Sequence, residues 1–407
     1  MVDTLERHHR HHLGDDVPAL RLQQLKVVSA VGRGAKSVVF LVQNGARQLW
    51  ALKVIPRWNI EKKCKTEDSA SSRGYDYRRI TFEQQVLWQF DHRLLPKLRG
   101  ALSTDKVVGY AIDYCPGRDL NSLRRKQTEK MFSDDVIRFY AAELVLALEY
   151  LHHLGIVYRD LKPENVMIQE DGHIMLVDFD LSTKLSSKSP SPTPATFLVP
   201  PSDSANRKRA PTFRWWCGSG STIDDSKEPS PRPSLNSVFP AETDSVMKSN
   251  SFVGTEEYVA PEMILGGGHD FAVDWWCLGV VLYEMLYGET PFRGSNRKET
   301  FYRILGKTPE LAGKTTPLRD LIGKLLEKDP KQRLGVEGIK GHDFFKGMTW
   351  QSVLEIARPP FIPPIDTEGN VGPSGIDVEL FVEGIFSNNN NNMYSENPHQ
   401  PSKIDFF

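Results

Sequence analysis

The richest cluster of reactive side chains in the 407-residue chain is Tyr158-Arg159-Asp160-Leu161-Lys162-Pro163-Glu164-Asn165, with Asp178-Phe179-Asp180 a short way downstream. Asp160 is suited to accept the proton of a substrate hydroxyl. Lys162 is suited to neutralise a γ-phosphate, and Asn165 and Asp178 to hold Mg²⁺ between them. Phosphoryl transfer needs this distribution, because its catalysis is mostly positioning and charge neutralisation around metal-bound phosphates. Far upstream stands Gly32-Arg33-Gly34-Ala35-Lys36-Ser37-Val38-Val39. Its small residues would let backbone N–H groups approach phosphate oxygens of ATP. Ser37 occupies the place of a third glycine, and the same run would also make an ordinary hairpin turn. Lys53 lies inside an apolar run, where an ammonium is costly without a partner. ATP phosphates would be one partner and Glu83 another. Taken singly, each Asp or Lys reads as a solvated surface residue. Their order and spacing carry the signal.

Residues so far apart in sequence need a fold to bring them together. Residues 25–28, 37–42 and 49–55 have strand length and composition and are separated by glycine-containing turns. Residues 64–77 form a charged, Ser-rich connector, and residues 82–90 space their apolar side chains as a helix does, which puts Glu83 on that helix. Beyond Gly117 the pattern is helical. Ser133-Asp134-Asp135 is a helix start, and residues 136–151 have an apolar face of period 3.6. The expectation is an α+β, two-lobed domain over residues 25–345: a β-rich small lobe at 25–114 and a helical large lobe at 118–345. Residues 1–19, with His8, His9, His11 and His12, read as a disordered tail that could at most bind metal weakly. Residues 182–248 are rich in Ser, Pro and Thr and read as a long disordered insertion. Residues 346–407 read as a Pro-rich extension with an Asn run at 388–392.

Three further segments extend the pattern: Gly254-Thr255-Glu256-Glu257-Tyr258-Val259-Ala260-Pro261-Glu262, Asp274-Trp275-Trp276-Cys277-Leu278-Gly279, and Asp329-Pro330-Lys331-Gln332-Arg333. With these the chain carries the protein-kinase signature set, and it resembles the AGC group of protein kinases over residues 25–364. The resemblance implies the two-lobed protein-kinase fold, with the insertion lying in the activation segment, and serine/threonine specificity. It implies that Glu262 pairs with Arg333, that Asp274 steadies the catalytic loop, and that Asp113 and Cys115 join the nucleotide-binding residues. It also implies that Asp119, Glu164 and Glu284, with Thr255, receive a protein substrate carrying basic residues upstream of its Ser or Thr. Ser251 matches the group's activation-loop phosphosite, where a phosphate would meet Arg159. Ile404, Phe406 and Phe407 resemble the hydrophobic motif that docks on the 3-phosphoinositide-dependent kinase, with Ile404 replacing the usual first aromatic.

Three departures narrow the resemblance. The metal-binding triplet ends in Asp180 where most kinases have Gly, an insertion precedes Gly254, and the catalytic loop begins with Tyr158 rather than His. Together these are similar to the plant-specific group VIII. Ala111-Ile112-Asp113-Tyr114-Cys115-Pro116-Gly117 and Gly294-Ser295-Asn296-Arg297-Lys298-Glu299-Thr300 are most similar to its oxidative-signal-inducible branch, which points to stress, oxidative or growth signalling. Glycine permits backbone angles that other residues disfavour, and Asp tolerates left-handed angles better than most.

Composition sets the outer limits. The chain is 39% hydrophobic and 25% charged, and 51 Lys and Arg against 52 Asp and Glu leave a formal charge of −1. No global bias calls for nucleic acid, and no apolar run approaches the ~18 residues of a membrane span. The four cysteines, Cys64, Cys115, Cys217 and Cys277, lack zinc spacing, which fits a reducing, cytoplasmic setting. Within the insertion, Arg207-Lys208-Arg209 and Phe213-Arg214-Trp215-Trp216 fit an anionic membrane surface, a nuclear-import signal or a solvated cluster. Two other function classes compete with protein phosphorylation. A pseudokinase scaffold should have lost Lys53, Asp160, Asn165 or Asp178, and all four are present. A small-molecule or lipid kinase would have no need of the segment from Thr255 to Glu262.

Overall fold

Val38, Phe40 and Val42 alternate with Val39 and Leu41, so a strand through them must present two distinct faces. In the computed structural model, which describes residues 17–61, 70–185, 253–356, 359–363 and 376–388, both faces are used. The small lobe is one six-stranded sheet in the order β1-β5-β6-β4-β3-β2. Its strands are β1 (Ala19–Leu20), β2 (Lys26–Arg33), β3 (Val38–Gln43), β4 (Leu49–Pro56), β5 (Leu98–Ser103) and β6 (Val107–Asp113). All neighbours are antiparallel except β1 on β5. One face buries Val38, Phe40, Val42, Leu52 and Val54. On the other, Val39 and Lys53 stand directly opposite each other, and Ile55 and Val108 pack with Ile80. Helices α1 (Arg57–Glu61) and α2 (Ala70–Trp88) follow β4.

The large lobe is built on α4 (Asp134–His153), reached through α3 (Leu120–Arg125), and on α6 (Ala272–Tyr287). Ser133 is the N-cap of α4, Asp134 and Asp135 lie in its first turn and His152 and His153 in its last, all of which suit the helix dipole. Every residue of α6 from Val273 to Met285 is buried, so this helix is the axis of the lobe. Short strands β7 (Ile156–Val157), β8 (Val166–Ile168), β9 (Ile174–Leu176) and β10 (Thr183–Lys184) carry the loops between α4 and the insertion. Around them lie α5 (Pro261–Leu265), α7 (Arg297–Gly306), α8 (Pro317–Leu325) and α9 (Val336–Lys340). No helix among the described residues is long and apolar enough to cross a membrane.

Four boundaries differ from the sequence reading. Structure begins before residue 20, because Ala19 and Leu20 add a strand to β5. The connector read over 64–77 is helical from Ala70 onward, as the first turns of α2. Ser182 is buried, and Thr183 and Lys184 pair with Val157 and Ile156, so these residues belong to the domain and not to the insertion. Two-residue strands hold no periodicity, which hides them from pattern reasoning. The tail, read as a Pro-rich extension, carries a last helix, α10 (Val378–Asn388), which takes in the first residue of the Asn run. Its Val378, Val382 and Phe386 cover the Val38/Phe40/Leu52 face of the sheet, with Phe381 edge-on to Phe40 at 5.5 Å between ring centroids. The i, i+3, i+4, i+7, i+8 spacing of 378, 381, 382, 385 and 386 is a helical signal, obscured by the polar and Pro-rich sequence around it. Val382→Asp places an unpartnered carboxylate in this seam. We expect it to lower the unfolding free energy in denaturant titration by about 2–4 kcal/mol. Leu380→Asp on the exposed side, where the leucine is 61% exposed, is expected to change it by no more than about 0.5 kcal/mol.

Candidate active site

β4 and α2 bring Lys53 and Glu83 together across thirty residues of sequence. The Lys53 Nζ donates to Glu83 Oε1 at 3.0 Å and Oε2 at 3.3 Å, and to Asp178 Oδ1 at 2.9 Å. Burial works against the ammonium, but Glu83, the Tyr110 hydroxyl and Asp178 outweigh it and hold the lysine pKa well above its usual value. Burial would also raise the Asp178 carboxyl, yet Lys53 brings it below the ordinary range. Both groups therefore stay charged at neutral pH. Glu83 also accepts from the Phe179 N–H at 3.1 Å, which fixes the loop that carries Asp178.

The second half of the site is centred on Asp160. Lys162 Nζ lies 2.7 Å from Asp160 Oδ2, Asn165 Nδ2 donates to the same oxygen at 3.0 Å, and Thr255 Oγ1 donates to Oδ1 at 3.1 Å. Lys162 also reaches Thr255 Oγ1 at 3.0 Å, and Asn165 Nδ2 donates to the Asp160 carbonyl at 2.9 Å. The carboxylate is thus clamped in one orientation, with Asn165 and Thr255 tied to it. Beneath it, fully buried Asp274 on α6 accepts the backbone N–H groups of Tyr158 and Arg159 at 2.9 and 2.8 Å, with His152 Nε2 2.8 Å away. Glu262 and Arg333 form a buried two-point pair at 2.7 and 3.0 Å. Tyr158, in the place of the usual His, packs its ring on Phe179 at 5.3 Å and donates its hydroxyl to the Val177 carbonyl. Phe179 in turn meets Phe90 at 4.8 Å.

Arg159 and Asp178 adopt left-handed backbone angles, φ 70° and 62°. Such conformations cost a non-glycine residue about 1–3 kcal/mol and cluster at functional sites. Asp180 is not among the left-handed residues. The chain therefore needs no glycine at 180 in this conformation.

The remaining candidates are distributed around this centre. Gly32, Arg33, Gly34, Ala35, Lys36, Ser37 and Val39 form the β2–β3 hairpin, closed by Gly34 N donating to Ser37 O at 2.8 Å. A Cβ on Gly34 would lie 3.0 Å from the Ser37 hydroxyl, which would have to turn aside. Asp113 directs its carboxylate to Arg99 Nε at 2.6 Å and Lys97 N at 3.0 Å, and buried Cys115 sets its Sγ 3.6 Å from Met175 Sδ. Both side chains are thus held by neighbouring groups of the protein. Asp119 caps α3 through Ser122 N at 2.8 Å. Exposed Glu164 accepts from Asn121 Nδ2 at 2.7 Å, while buried Glu284 pairs with Arg124 at 2.7 Å and accepts the Tyr258 hydroxyl. Arg124 also donates to Asn121 Oδ1 at 2.9 Å, so Glu164 and Glu284 belong to one polar chain. Asn121 and Arg124 carry no signal in the sequence, where an Asn and an Arg stand at unrelated spacings, and Tyr258 is legible there only as part of its segment, without its bond to Glu284. Ser251, Ile404, Phe406, Phe407 and the cluster at 207–216 lie outside the described residues.

Comparisons with known proteins agree with this geometry. The protein kinase domain family matches residues 25–201 and 239–345. The chain is 59% identical over 377 residues to serine/threonine-protein kinase OXI1 of Arabidopsis thaliana, covering 91% of this chain and 86% of that protein. It is 42% identical over 397 residues to serine/threonine-protein kinase UCN of the same plant, covering 90% and 91%. It is also 42% identical over 384 residues to serine/threonine-protein kinase UCNL, again of Arabidopsis thaliana, covering 90% of each chain. A paired Lys53–Glu83, a clamped Asp160 and an Asp178 held beside Lys53, in a chain this similar to plant serine/threonine kinases, place it in the protein kinase family, as a serine/threonine kinase of the plant AGC group VIII.

Proposed function

We propose that this kinase uses ATP and Mg²⁺ and phosphorylates Ser or Thr preceded by basic residues, in stress, oxidative or growth signalling. The observation that carries the chemistry is the Asp160 carboxylate fixed by Lys162, Asn165 and Thr255, in the same site as the Lys53–Asp178 pair. The donor set fits the metal nucleotide: Asn165 and the partly exposed Asp178 are hard oxygen-bearing ligands, and Lys53 and Lys162 are cations for phosphate oxygens. When bound, Mg²⁺ neutralises charge on the phosphates. Asp160 orients the substrate hydroxyl and takes its proton as the hydroxyl oxygen bonds to the γ-phosphorus and the bond from that phosphorus to the β-phosphate oxygen breaks, releasing ADP. Lys162 keeps a positive charge beside the transferring group. Lys53, held by Glu83, positions the nucleotide, and the hairpin from Gly32 to Val39 folds over its phosphates.

Glu164 is the leading acid for a basic substrate residue, because it is exposed and its known partner is a neutral amide. Glu284 is paired with Arg124 and acts through the network that links it to Glu164. An Arg-rich Ser peptide tests the whole reading. Wild type is expected to phosphorylate it, and Asp160→Asn is expected to fold and bind ATP but lose about 10²–10⁴-fold in kcat. Glu164→Gln is expected to lose about tenfold in kcat/KM on this peptide, the scale of one charged hydrogen bond, and little on a peptide without Arg. Near wild-type turnover by Asp160→Asn would overturn the assigned base.

Two proposals concern control. A phosphate on Ser251 would meet Arg159, whose backbone N–H is tied to Asp274 and whose Nε donates to the Leu181 carbonyl at 2.6 Å, so the new charge would order the loop from the catalytic centre outward. The 3-phosphoinositide-dependent kinase would supply it, recruited by Ile404, Phe406 and Phe407. Mass spectrometry after incubation with that kinase is expected to find Ser251 modified, and much less so in a chain truncated after Lys403; equal modification would exclude docking by the terminus.

The Arg207/Lys208/Arg209/Arg214 cluster with its aromatics is proposed to give reversible attachment to anionic membrane, worth about 4 kcal/mol at roughly 1 kcal/mol per basic residue. This sets a peripheral membrane pool beside the cytoplasmic one. Cosedimentation with anionic vesicles is expected to fall when the four cations are replaced by Ala, and to weaken at physiological salt. Equal pelleting of both proteins would exclude the membrane and leave nuclear import or a solvated cluster.

A further inference from the structure

Asp180 occupies the place where most protein kinases carry glycine, and its contacts give it a task. α2 carries Glu83 and, four residues earlier, Arg79, which places both on one face of the helix. Glu83 binds Lys53 and the Phe179 N–H. Arg79 reaches one residue further along the same loop. Its Nε lies 3.4 Å from Asp180 Oδ1, and its guanidinium donates to the Asp180 carbonyl. Three consecutive loop residues are thereby held, Asp178 by Lys53 of β4, and Phe179 and Asp180 by Glu83 and Arg79 of the helix. Because Asp180 does not use left-handed angles, glycine here would relieve no strain. It would remove a carboxylate and loosen the backbone.

We propose that Asp180 is a positioning residue, which with Arg79 fastens α2 to the metal-binding loop and so keeps Glu83, Lys53 and Asp178 aligned for transfer. The usual glycine would make this enzyme slower. An ion pair with one side chain 49% exposed is weak by itself. It matters because of the two parts it joins, since transfer requires the lysine–glutamate pair and the metal aspartate in place together.

The test is steady-state kinetics of the full chain on an Arg-containing Ser peptide, where wild-type turnover checks the kinase reading separately from the variants. Asp180→Gly and Asp180→Asn are each expected to lower kcat about 3- to 5-fold, the scale of a partly exposed pair, with the peptide KM unchanged and the melting temperature retained. Asp180→Glu is expected to recover most of the loss. Arg79→Ala combined with Asp180→Asn is expected to be no slower than Arg79→Ala alone, the signature of residues acting through each other. Three results would overturn the proposal: Asp180→Gly or Asp180→Asn at or above wild-type kcat, losses that multiply independently in the double variant, or an effect confined to the peptide KM.

Discussion

An ammonium drawn into the interior has to be matched by carboxylates, and the Lys53–Glu83–Asp178 cluster meets that constraint with one residue from each of three separate elements. β4 supplies the cation, α2 one anion and the loop after β9 the other. Leaving Lys53 or Glu83 unpartnered would strand a buried charge, which is strongly destabilising. The electrostatics that prepare the site for phosphate thus also join the small lobe to the large one. Nucleotide phosphates and metal would enter a place where fixed charges already alternate in sign, so little reorganisation is needed at the moment of reaction.

The large lobe supplies the rigid side of this arrangement. α6 is buried along nearly its whole length, and Asp274 in its first turn holds two successive backbone N–H groups of the catalytic loop. A loop residue with φ 70°, Arg159, is stable there because its N–H is tied to an immovable carboxylate. Tyr158 replaces histidine without loosening the site: its ring fills the space against Phe179 and its hydroxyl finds the Val177 carbonyl. An aromatic with a satisfied polar tip does the same packing work by a different chemistry.

The tail helix α10 shows how a surface need is met from far away in the chain. The sheet face made by Val38, Phe40, Val42, Leu52 and Val54 would otherwise be a bare apolar patch, and Val378, Val382 and Phe386 close it. Thr104 Oγ1 donates to Glu379 Oε1 at 2.6 Å at one end, and Arg33 lies over the Phe386 ring at 5.7 Å at the other. Arg33 stands between the two glycines of the β2–β3 hairpin. The C-terminal segment therefore packs against the base of the loop assigned to phosphates.

The reactive residues and the outline of the fold are legible in the chain alone. Strand alternation, the helical period of 136–151 and the ordered run of Lys53, Asp160, Lys162, Asn165 and Asp178 are local or one-dimensional patterns, and they survive without coordinates. Ser133 as a helix start and Glu83 as the lysine partner were legible for the same reason, and the Glu262–Arg333 pair through resemblance. Contacts between residues with no fixed spacing come into being only when the chain folds. The two-residue strands at 19–20 and 183–184 exist because a neighbouring strand offers them hydrogen bonds. The direction of the Asp113 and Glu284 side chains was settled by Arg99 and Arg124, partners that no pattern names. Asp180 is the sharpest case. Its departure from glycine was visible at once, but whether it strains the loop or braces it depends on a backbone angle and on Arg79, a hundred residues away in sequence and adjacent only in the fold.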